Sequence, residues 1–391
     1  MDVRPKSSID RAAFEKLRRI APAAAEANRT ANEPDWRPRN LPDEVAFKLT
    51  NRCDLRCDHC YQWNEFGYHH DLEPHDRHGD LDLSIVARVL AVTRELQSNV
   101  YIWGGEPLIY RDWDGLIDIL HEHRRWTSIC TNGTLLARRL SSLCRISERL
   151  ELVIALDGFE AEHDSLRGSG SFRKTLGGLR ALIEAKHRGS YLGEITVNCV
   201  FQDAMLNRLL DFVTFLEQEG VETVYLSFPW YLSDGTSQLM DEYVAHHHPH
   251  LTLRMVDTKP SWYSYKFKLD PSRLDDLRAE LLRINTAVWR IKVRYNPELD
   301  SADLEDFILG SHRPAQNKSR CLALQSRLDV FPNGNVVSCK FFPEFSVGNL
   351  ERSDVRDVWE SVAFNRVRKA VADNGLMPVC AKCNLLYTRG V

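Results

Sequence analysis

Three cysteines set close together are the residues of this sequence best suited to metal chemistry. Cys53, Cys57 and Cys60 fall within eight residues, directly after the short apolar segment Val45–Thr50. One loop can therefore bring three thiolates to a single inorganic centre. Three thiolates around a four-iron cube leave one iron open, and an open coordination site distinguishes a catalytic metal centre from a closed structural one. We expect a further ligand to bind at that iron.

A second cysteine group lies towards the end of the chain. Its members are Cys321, Cys339, Cys380 and Cys383. The first two flank a segment that predicts a β-hairpin turning at Asn333-Gly334, and hairpin pairing would bring their sulfurs together. Four thiolates form a closed site with a structural or electron-transferring role. A zinc ribbon is the alternative here, and a zinc knuckle completed by His59 or His69 is the alternative at the first group. The remaining cysteines fall on apolar strands or helices and are predicted to be core thiols: Cys130, Cys144 and Cys199.

The composition favours a globular protein that stays inside the cell. The chain has 391 residues, 43% of them hydrophobic, which suffices for one full domain and a smaller appendage. Its charges are scattered and sum to -4, so no basic face is offered to nucleic acid. No apolar run approaches the roughly 20 residues that cross a bilayer. The charged opening segment, residues 1–28, lacks the apolar core of a secretory signal, so we expect a cytoplasmic protein with metal-binding cysteines rather than disulfides.

Alternating strands and helices must position the first cysteine group. Six strands are predicted, at 45–50, 100–103, 127–130, 150–156, 195–201 and 221–228. Helices are predicted between them, at 83–96, 113–125, 135–147, 172–188 and 205–219. Such alternation is typical of right-handed β–α units around a parallel sheet. We expect an α/β fold, a partial (β/α)6 TIM-like barrel whose functional residues lie at the carboxyl ends of the strands.

The rest of the chain breaks this rhythm. A helix is predicted at 10–28, a single helix at 272–289 within an aromatic insert, a seventh strand at 291–295 and a helix at 354–371. The insert indicates substrate specificity. We predict an N-terminal helix and linker (1–44), a barrel core (45–230), an insert and connection (231–320) and a small α+β domain (321–391).

The first cysteine group resembles that of a known family. The spacing C-x3-C-x2-C, followed by the aromatic Tyr61 and placed after the first strand, resembles the radical S-adenosylmethionine (SAM) superfamily. The resemblance implies that Cys53, Cys57 and Cys60 hold a [4Fe-4S] cluster whose open iron binds SAM. One electron from the reduced cluster would cleave SAM to methionine and a 5′-deoxyadenosyl radical, which abstracts hydrogen from a substrate.

Other segments resemble the SAM-binding motifs of the same superfamily. The run Gly104-Gly105-Glu106-Pro107 resembles the motif that binds the SAM ammonium group, and its glycines allow close backbone approach while the glutamate accepts from an amine. Asp157 resembles a residue near the ribose, although Ala155 replaces the serine that many relatives carry. Arg167 is a candidate for the SAM carboxylate. The SAM-binding residues so implied are Tyr61, Gly104, Gly105, Glu106, Asn132, Asp157, Arg167 and Asn198.

The second cysteine group resembles the twitch or SPASM auxiliary-cluster domain. The likeness rests on C-x12-G-x4-C, on Gly348-Asn349-Leu350, on a helix containing Trp359 and on C-x2-C. The longer SPASM form continues with further cysteines, and this sequence ends at Val391 without them. The resemblance therefore implies one auxiliary [4Fe-4S] cluster, two clusters in all, and an external reductant such as ferredoxin or flavodoxin.

Together these resemblances imply a radical SAM oxidoreductase of natural-product biosynthesis. We expect it to dehydrogenate a small intermediate and pass an electron to the auxiliary cluster. A peptide-modifying maturase that forms a crosslink is the alternative, and a non-catalytic iron–sulfur carrier is the alternative of another class. Sulfatase-maturing relatives use a carboxylate near the auxiliary cluster where this chain has Lys340, which argues against formylglycine formation. Candidate proton acceptors are Tyr231, Asp234 and Lys340.

Overall fold

The structure is a computed structural model that describes residues 40–252 and 259–390, together with residues 25 and 38. Most of the helix predicted at 10–28 and of the linker behind it lies outside the described residues. Within the described ranges, no helix has both the length and the apolar character needed to cross a membrane.

One sheet of ten strands organises the described chain. The strands are β1 (Glu44–Lys48), β2 (Asn99–Trp103), β3 (Thr127–Thr131), β4 (Leu150–Ala155), β5 (Glu194–Val200), β6 (Thr223–Ser227), β7 (Lys292–Asn296), β8 (Arg327–Val330), β9 (Asn335–Val337) and β10 (Ser346–Asn349). Their order across the sheet is β10-β9-β8-β1-β2-β3-β4-β5-β6-β7. Strands β1 to β7 are parallel, each beside its successor. The prediction of a partial parallel barrel is confirmed, and the strand predicted at 291–295 is β7.

Helices connect the parallel strands. The helices named here are α1 (Leu83–Val92), α2 (Trp113–His123), α3 (Leu136–Arg145), α4 (Glu160–Arg167), α5 (Ser171–His187), α6 (Leu209–Glu219), α7 (Asp234–His247), α8 (Leu274–Thr286), the five-residue α9 (Val355–Trp359) and α10 (Val362–Asn374). Other short helical segments lie at Pro74–Arg77, Pro249–Thr252, Asp303–Ile308, Ala323–Ser326 and Asn384–Arg389. Each strand from β1 to β5 is followed by a helix before the next strand begins, as the alternating pattern predicted.

The main hydrophobic core lies between the sheet and these helices. Strand residues such as Val45, Ile102 and Ile154 are fully buried there, together with helix residues such as Val89 and Leu179. Because side chains alternate across a strand, the intervening strand residues point to the opposite side, which we call the inner face. They include Lys48, Tyr101, Trp103, Cys130 and Asn198.

Two predictions about helices were wrong. The insert holds α7 as well as α8, because the side chain of Ser233 caps α7 by accepting from the Thr236 backbone N at 3.2 Å and the mostly polar sequence hides the helical period. The helix predicted at 354–371 is two helices, α9 and α10. Ser361 separates them, since its side chain accepts from the Phe364 backbone N at 3.1 Å and starts a new helix.

The C-terminal strands extend the barrel sheet instead of forming a sheet of their own. Strand β8 pairs in parallel with β1, with Leu328 beside Val45, and β9 and β10 follow in antiparallel order. The Arg389 side chain adds ion pairs to Asp43 at 3.0 Å and to Glu44 at 2.8 Å. The C-terminal part is therefore attached to the first barrel strand, and the domain limits at 230 and 320 stay predictions.

Candidate functional site

The loop with the first cysteine group leaves β1 at the carboxyl end of the parallel strands. Cys57 is buried, whereas Cys53 and Cys60 are half-buried. The Cys60 backbone N donates to the Cys57 carbonyl at 3.0 Å and closes a tight turn. Burial raises the pKa of each thiol, and the charges of Cys60 and Cys57 add to the increase at Cys53. The three sulfurs are thus close enough to interact electrostatically.

Two glycines fix the position of this loop. The Gly105 backbone N donates to the Thr50 carbonyl and the Glu106 backbone N to the Arg52 carbonyl, both at 2.8 Å. A Cβ on Gly104 would lie 2.6 Å from the Thr50 carbonyl oxygen, and one on Gly105 would lie 2.1 Å from that of Arg52. A side chain at either position would push the backbones apart. Glycine is therefore needed so that β2 can end directly against the cysteine loop.

The carboxylate of Glu106 joins the ends of β2 and β3 beside Cys53. It is fully buried and accepts from the Leu108 backbone N at 2.8 Å, the Thr131 hydroxyl at 2.7 Å and the Asn132 backbone N at 2.7 Å. Burial raises the pKa of Glu106 to about 7, against the opposing effect of these donors. The Asn132 side-chain amide lies 3.9 Å from the Cys53 sulfur. Glu106 and Asn132 are thus brought to the first cysteine group, and their part in SAM binding stays a prediction.

Asp157 and Arg167 form a buried ion pair beside Cys57 of the cysteine loop. The Arg167 Nε donates to the Asp157 carboxylate at 2.5 Å, and the Val200 backbone N donates to the same carboxylate at 2.7 Å. One Arg167 nitrogen lies 3.7 Å from the Cys57 sulfur, and another lies 3.4 Å from the His59 ring. Burial opposes ionisation of Asp157, but Arg167 holds its pKa below the usual value. Burial and the nearby Arg167 lower the pKa of His59 to about 4.

The last two predicted SAM residues are placed differently. The Tyr61 ring stacks on Tyr265 with centroids 4.5 Å apart and lies 5.8 Å from Trp230, so it contacts the insert. Asn198 lies on the inner face of β5, where its side-chain oxygen accepts from the Ser227 hydroxyl at 2.6 Å. Asn198 thus contacts the end of β6, and its part in SAM binding stays a prediction.

The second cysteine group is assembled from three separate segments. Cys321 pairs in a β-bridge with Gly390, Cys339 follows β9, and Cys380 and Cys383 bracket a short turn in which the Cys383 backbone N donates to the Cys380 carbonyl at 3.0 Å. Burial raises the pKa of every thiol in the group, and that of Cys383 reaches about 12. The charges of the other three thiolates raise the pKa of Cys380 further.

Both donor sets have the composition that the predicted clusters require, and their role as cluster ligands stays a prediction. All seven thiols are free of disulfides, and sets of three and four thiolates are typical ligands of iron–sulfur clusters. Across residues 40–252 and 259–390, no three Cys, His, Asp or Glu side chains converge tightly enough to hold a single metal ion. The two candidate fourth ligands of a zinc knuckle have other partners. The His69 Nε2 lies 2.9 Å from the Lys48 amine, and His59 contacts Arg167.

The three candidate proton acceptors lie in different surroundings. Asp234 is at the start of α7 with 82% of its side chain exposed, and it forms an ion pair with Lys266 at 2.7 Å. Tyr231 is half-buried with Lys268 5.5 Å from its ring centre. Only Lys340 is buried on the inner face, where its amine lies 3.3 Å from the Tyr101 hydroxyl. Burial and then the charge of Arg327 lower the pKa of Lys340 to about 8.

The structure corrects one prediction about a cysteine and adds residues that the sequence did not indicate. Cys130 is not a core thiol; it is half-buried on the inner face, with its sulfur 3.0 Å from the Tyr101 hydroxyl. His163 accepts from the Asp157 backbone N at 3.0 Å, and Gln62 donates to the Gly104 carbonyl at 3.1 Å. No spacing signal marked either contact, although Asp157 and His163 are close in sequence; Gln62 and Gly104 belong to separate segments.

Comparison with known families agrees with this geometry. Residues 47–213 match the family model of the radical SAM superfamily, and residues 321–384 match that of the iron–sulfur cluster-binding SPASM domain. The parallel barrel and the three-cysteine loop at the carboxyl ends of its strands agree with the first of these two families, the radical SAM superfamily. The chain thus carries a radical SAM domain followed by a C-terminal SPASM domain, as its motifs predicted.

Individual relatives are distant. A probable GTP 3′,8-cyclase of Methanocella arvoryzae is 28% identical over 176 residues, which are 43% of this chain and 52% of that protein. The mycofactocin maturase MftC of Mycobacterium tuberculosis is 25% identical over 183 residues, 46% of this chain and 43% of that protein. The chain thus spans about half the length of the curated relatives it matches.

Solved structures resemble the chain over more of its length. SuiB of Streptococcus suis bound to S-adenosylmethionine has a TM-score of 0.58 at 17% identity and covers 92% of this chain and 74% of its own. Native anSMEcpe with bound AdoMet has a TM-score of 0.53 at 16% identity and covers 82% of both chains. At such identities the likeness concerns the fold.

Proposed function

We propose that this protein is a radical SAM enzyme whose catalytic cluster is held by Cys53, Cys57 and Cys60. The observation that carries the proposal is that two buried ionisable groups lie beside this loop. Arg167 is 3.7 Å from the Cys57 sulfur, and Glu106 accepts from the backbone of Asn132, whose side chain is 3.9 Å from the Cys53 sulfur. A carboxylate and a guanidinium near the same loop suit the amino and carboxylate groups of an amino acid such as the methionine part of SAM.

The chemistry that the bound group supplies is the one-electron cleavage of SAM to methionine and a 5′-deoxyadenosyl radical. The chain itself binds, orients and shields. Gly104 and Gly105 let the β2 backbone touch the cysteine loop. The Thr131 hydroxyl and the Asn132 backbone N each donate one hydrogen bond to the Glu106 carboxylate and so hold it in one orientation.

The substrate that we propose is a small natural-product intermediate, which the enzyme dehydrogenates. Segments of the insert contact the cysteine loop. The Asn64 side chain donates to the Ser264 carbonyl at 3.2 Å, and the rings of His59 and Phe267 are 5.7 Å apart. A loop that the insert partly covers leaves less room for a long chain, which favours a small substrate. Removal of one hydrogen atom by the radical, and of a proton and an electron afterwards, balances the oxidation, with the second cysteine group holding the electron acceptor.

A peptide-modifying maturase is the second candidate. Its support is the fold of SuiB, which covers nine-tenths of this chain and has also been solved bound to the precursor peptide SuiA. The mycofactocin maturase MftC is a relative of this chain and likewise favours a maturase function.

Anaerobic incubation of the reconstituted protein with SAM and dithionite tests the first step. We expect 5′-deoxyadenosine in the wild type. A protein that contains iron and sulfide, yet neither forms 5′-deoxyadenosine nor changes its cluster spectrum with SAM, would be an electron carrier or scaffold instead.

Deuterium transfer separates the two substrate classes. Extract from cells grown in heavy water is divided into a small-molecule fraction and a peptide fraction, and each is added to the reaction. Because the radical takes hydrogen from its substrate, 5′-deoxyadenosine should acquire deuterium with the small-molecule fraction. Transfer from the peptide fraction alone would select the maturase.

A further inference from the structure

Several polar groups on the inner face lie between the two cysteine groups and have no part in the SAM site. They surround a small apolar cluster of Trp103, Phe331 and Val337 that is separate from the main core. Tyr61, from the first cysteine loop, packs against this cluster, and so does Cys130. A residue of the first cysteine loop thus meets the inner face at this cluster.

Lys340 brings a buried positive charge to this place without an ion pair among the described residues. It is 6% exposed, and its amine lies 4.4 Å from the ring centre of Tyr101 and 4.9 Å from that of Trp103. The nearby acidic groups are already paired, since Arg327 binds Asp329 at 2.8 Å and also binds Glu44. A buried charge without a counterion is costly.

The Trp103 indole is a second donor without an acceptor. The residue is only 5% exposed, and its buried Nε1 has no hydrogen-bond partner in the described part of the chain. Leaving such a donor unpaired costs about 1–3 kcal/mol. Lys340 has three N–H donors, of which the Tyr101 hydroxyl takes one at 3.3 Å. Donors therefore exceed acceptors here, and the half-buried state of Tyr101 and Cys130 shows that the inner face is not completely filled beside them.

We propose that Lys340 and the Trp103 indole nitrogen form a subsite for a carboxylate group of the substrate. This inference rests on the proposed function, because it supplies the binding group for the molecule that is oxidised. Lys48 brings a second buried amine to the same rings, 5.6 Å from the ring centre of Trp103. Its amine already contacts the Tyr68 hydroxyl at 2.8 Å and His69 at 2.9 Å, so Lys340 has more donor capacity left for a carboxylate. The aromatic rings around the amine would contact the apolar part of the same molecule.

A different role for Lys340 would be to balance the charge of the neighbouring auxiliary thiolates, since it directly follows Cys339. The two roles differ in a measurable way. A charge-balancing lysine would change the reduction potential of the auxiliary cluster but would give no preference for an anionic ligand.

The test uses the reconstituted holoprotein and two probes of matched shape, phenylacetate and phenylacetamide. Isothermal titration calorimetry should show phenylacetate bound at least about tenfold more tightly than the amide, because only the carboxylate pairs with the ammonium. Lys340→Met should remove this preference. Trp103→Phe, which keeps an aromatic ring but deletes the N–H, should reduce it by a smaller factor. The exposed Lys174→Met serves as the matched lysine control and should bind like the wild type.

Equal binding of the two probes by the wild type, or no binding of either, would overturn the subsite. The subsite is also overturned if Lys340→Met shifts the reduction potential of the auxiliary cluster while the preference for phenylacetate over phenylacetamide persists. Formation of 5′-deoxyadenosine without any probe is measured in parallel. A protein that discriminates the probes but never cleaves SAM would keep the subsite and contradict the proposed function. A protein that cleaves SAM but binds both probes equally would keep the proposed function and contradict the subsite.

Discussion

The two cysteine groups reach similar donor sets by opposite routes. Cys53, Cys57 and Cys60 lie on one loop, and backbone contacts from Gly104 and Gly105 hold that loop in place. The second group is drawn from residues 321, 339, 380 and 383, which belong to three segments. The first group therefore depends on local chain geometry, whereas the second depends on the packing of the C-terminal segments against the barrel.

This difference predicts that the two groups can be disrupted separately. The first should survive loss of a thiol from the second, because no segment of the first loop is supplied by the C-terminal domain. The inner-face cluster around Trp103 is the place where both groups meet, since Tyr61 and Lys340 reach it from the two sides.

The largest expected effect is on SAM cleavage. Cys57→Ala should reduce 5′-deoxyadenosine to the background without enzyme, because two thiolates do not replace three at the catalytic cluster. Cys380→Ala should retain SAM cleavage and lose substrate oxidation, with a lower iron content. The half-buried Cys144→Ser is the control and should keep both activities. If Cys380→Ala also abolishes SAM cleavage, the two groups are not independent.

The next effect concerns the glycine contact that holds the first loop. Gly105→Ala should cost about 1–3 kcal/mol of unfolding free energy, because its Cβ meets a backbone carbonyl that cannot swing aside. The matched control is Gly177→Ala in α5, where a Cβ has nothing within 4 Å and should be neutral or stabilising by up to about 1 kcal/mol. Denaturant unfolding measures both. Equal stability of the two variants would show that the loop does not depend on this contact.

A pH effect on SAM binding should appear at the first group. The pKa of Glu106 lies at about 7, so its ionised fraction rises roughly tenfold between about pH 6 and about pH 8. If the ionised form binds the SAM amine, SAM affinity should rise with pH over this window. Glu106→Gln removes the titrating carboxyl group. The pH profile of SAM affinity in this variant therefore reports the titration of SAM itself and serves as the control. Parallel profiles of the two proteins, from equilibrium dialysis, would exclude this role of Glu106.

The smallest effect tests the attachment of the second group to the barrel. Arg389→Met removes charged hydrogen bonds to Asp43 and Glu44 and should cost about 2 kcal/mol in stability. Auxiliary iron should be lost at a lower denaturant concentration than catalytic iron. Arg188→Met, which breaks an exposed pair with Glu184, should change stability by less than about 0.5 kcal/mol. Simultaneous loss of all iron would indicate a single cooperative unit.

Much of the fold was predictable because it is encoded locally. The apolar periodicity of residues 45–228 predicted six parallel strands and their helices, and Asn333-Gly334 marked the turn between β8 and β9. Helix α7 was missed because its sequence is mostly polar, and the break at Ser361 was missed because a single cap decides it. The cysteines and Glu106 stood out because few other functions need those residue types at that spacing.

The sequence by itself determined which residues could ligate metal and which chain segments could form the barrel. Only the tertiary structure decided that Arg167 is buried against Cys57, that Asp234 is exposed, and that Cys130 faces inwards. The physical reason is that burial and pairing of polar groups depend on neighbours far away in the chain. Lys340 and the unpaired indole of Trp103 come from segments that are separated by more of the sequence than any local pattern spans.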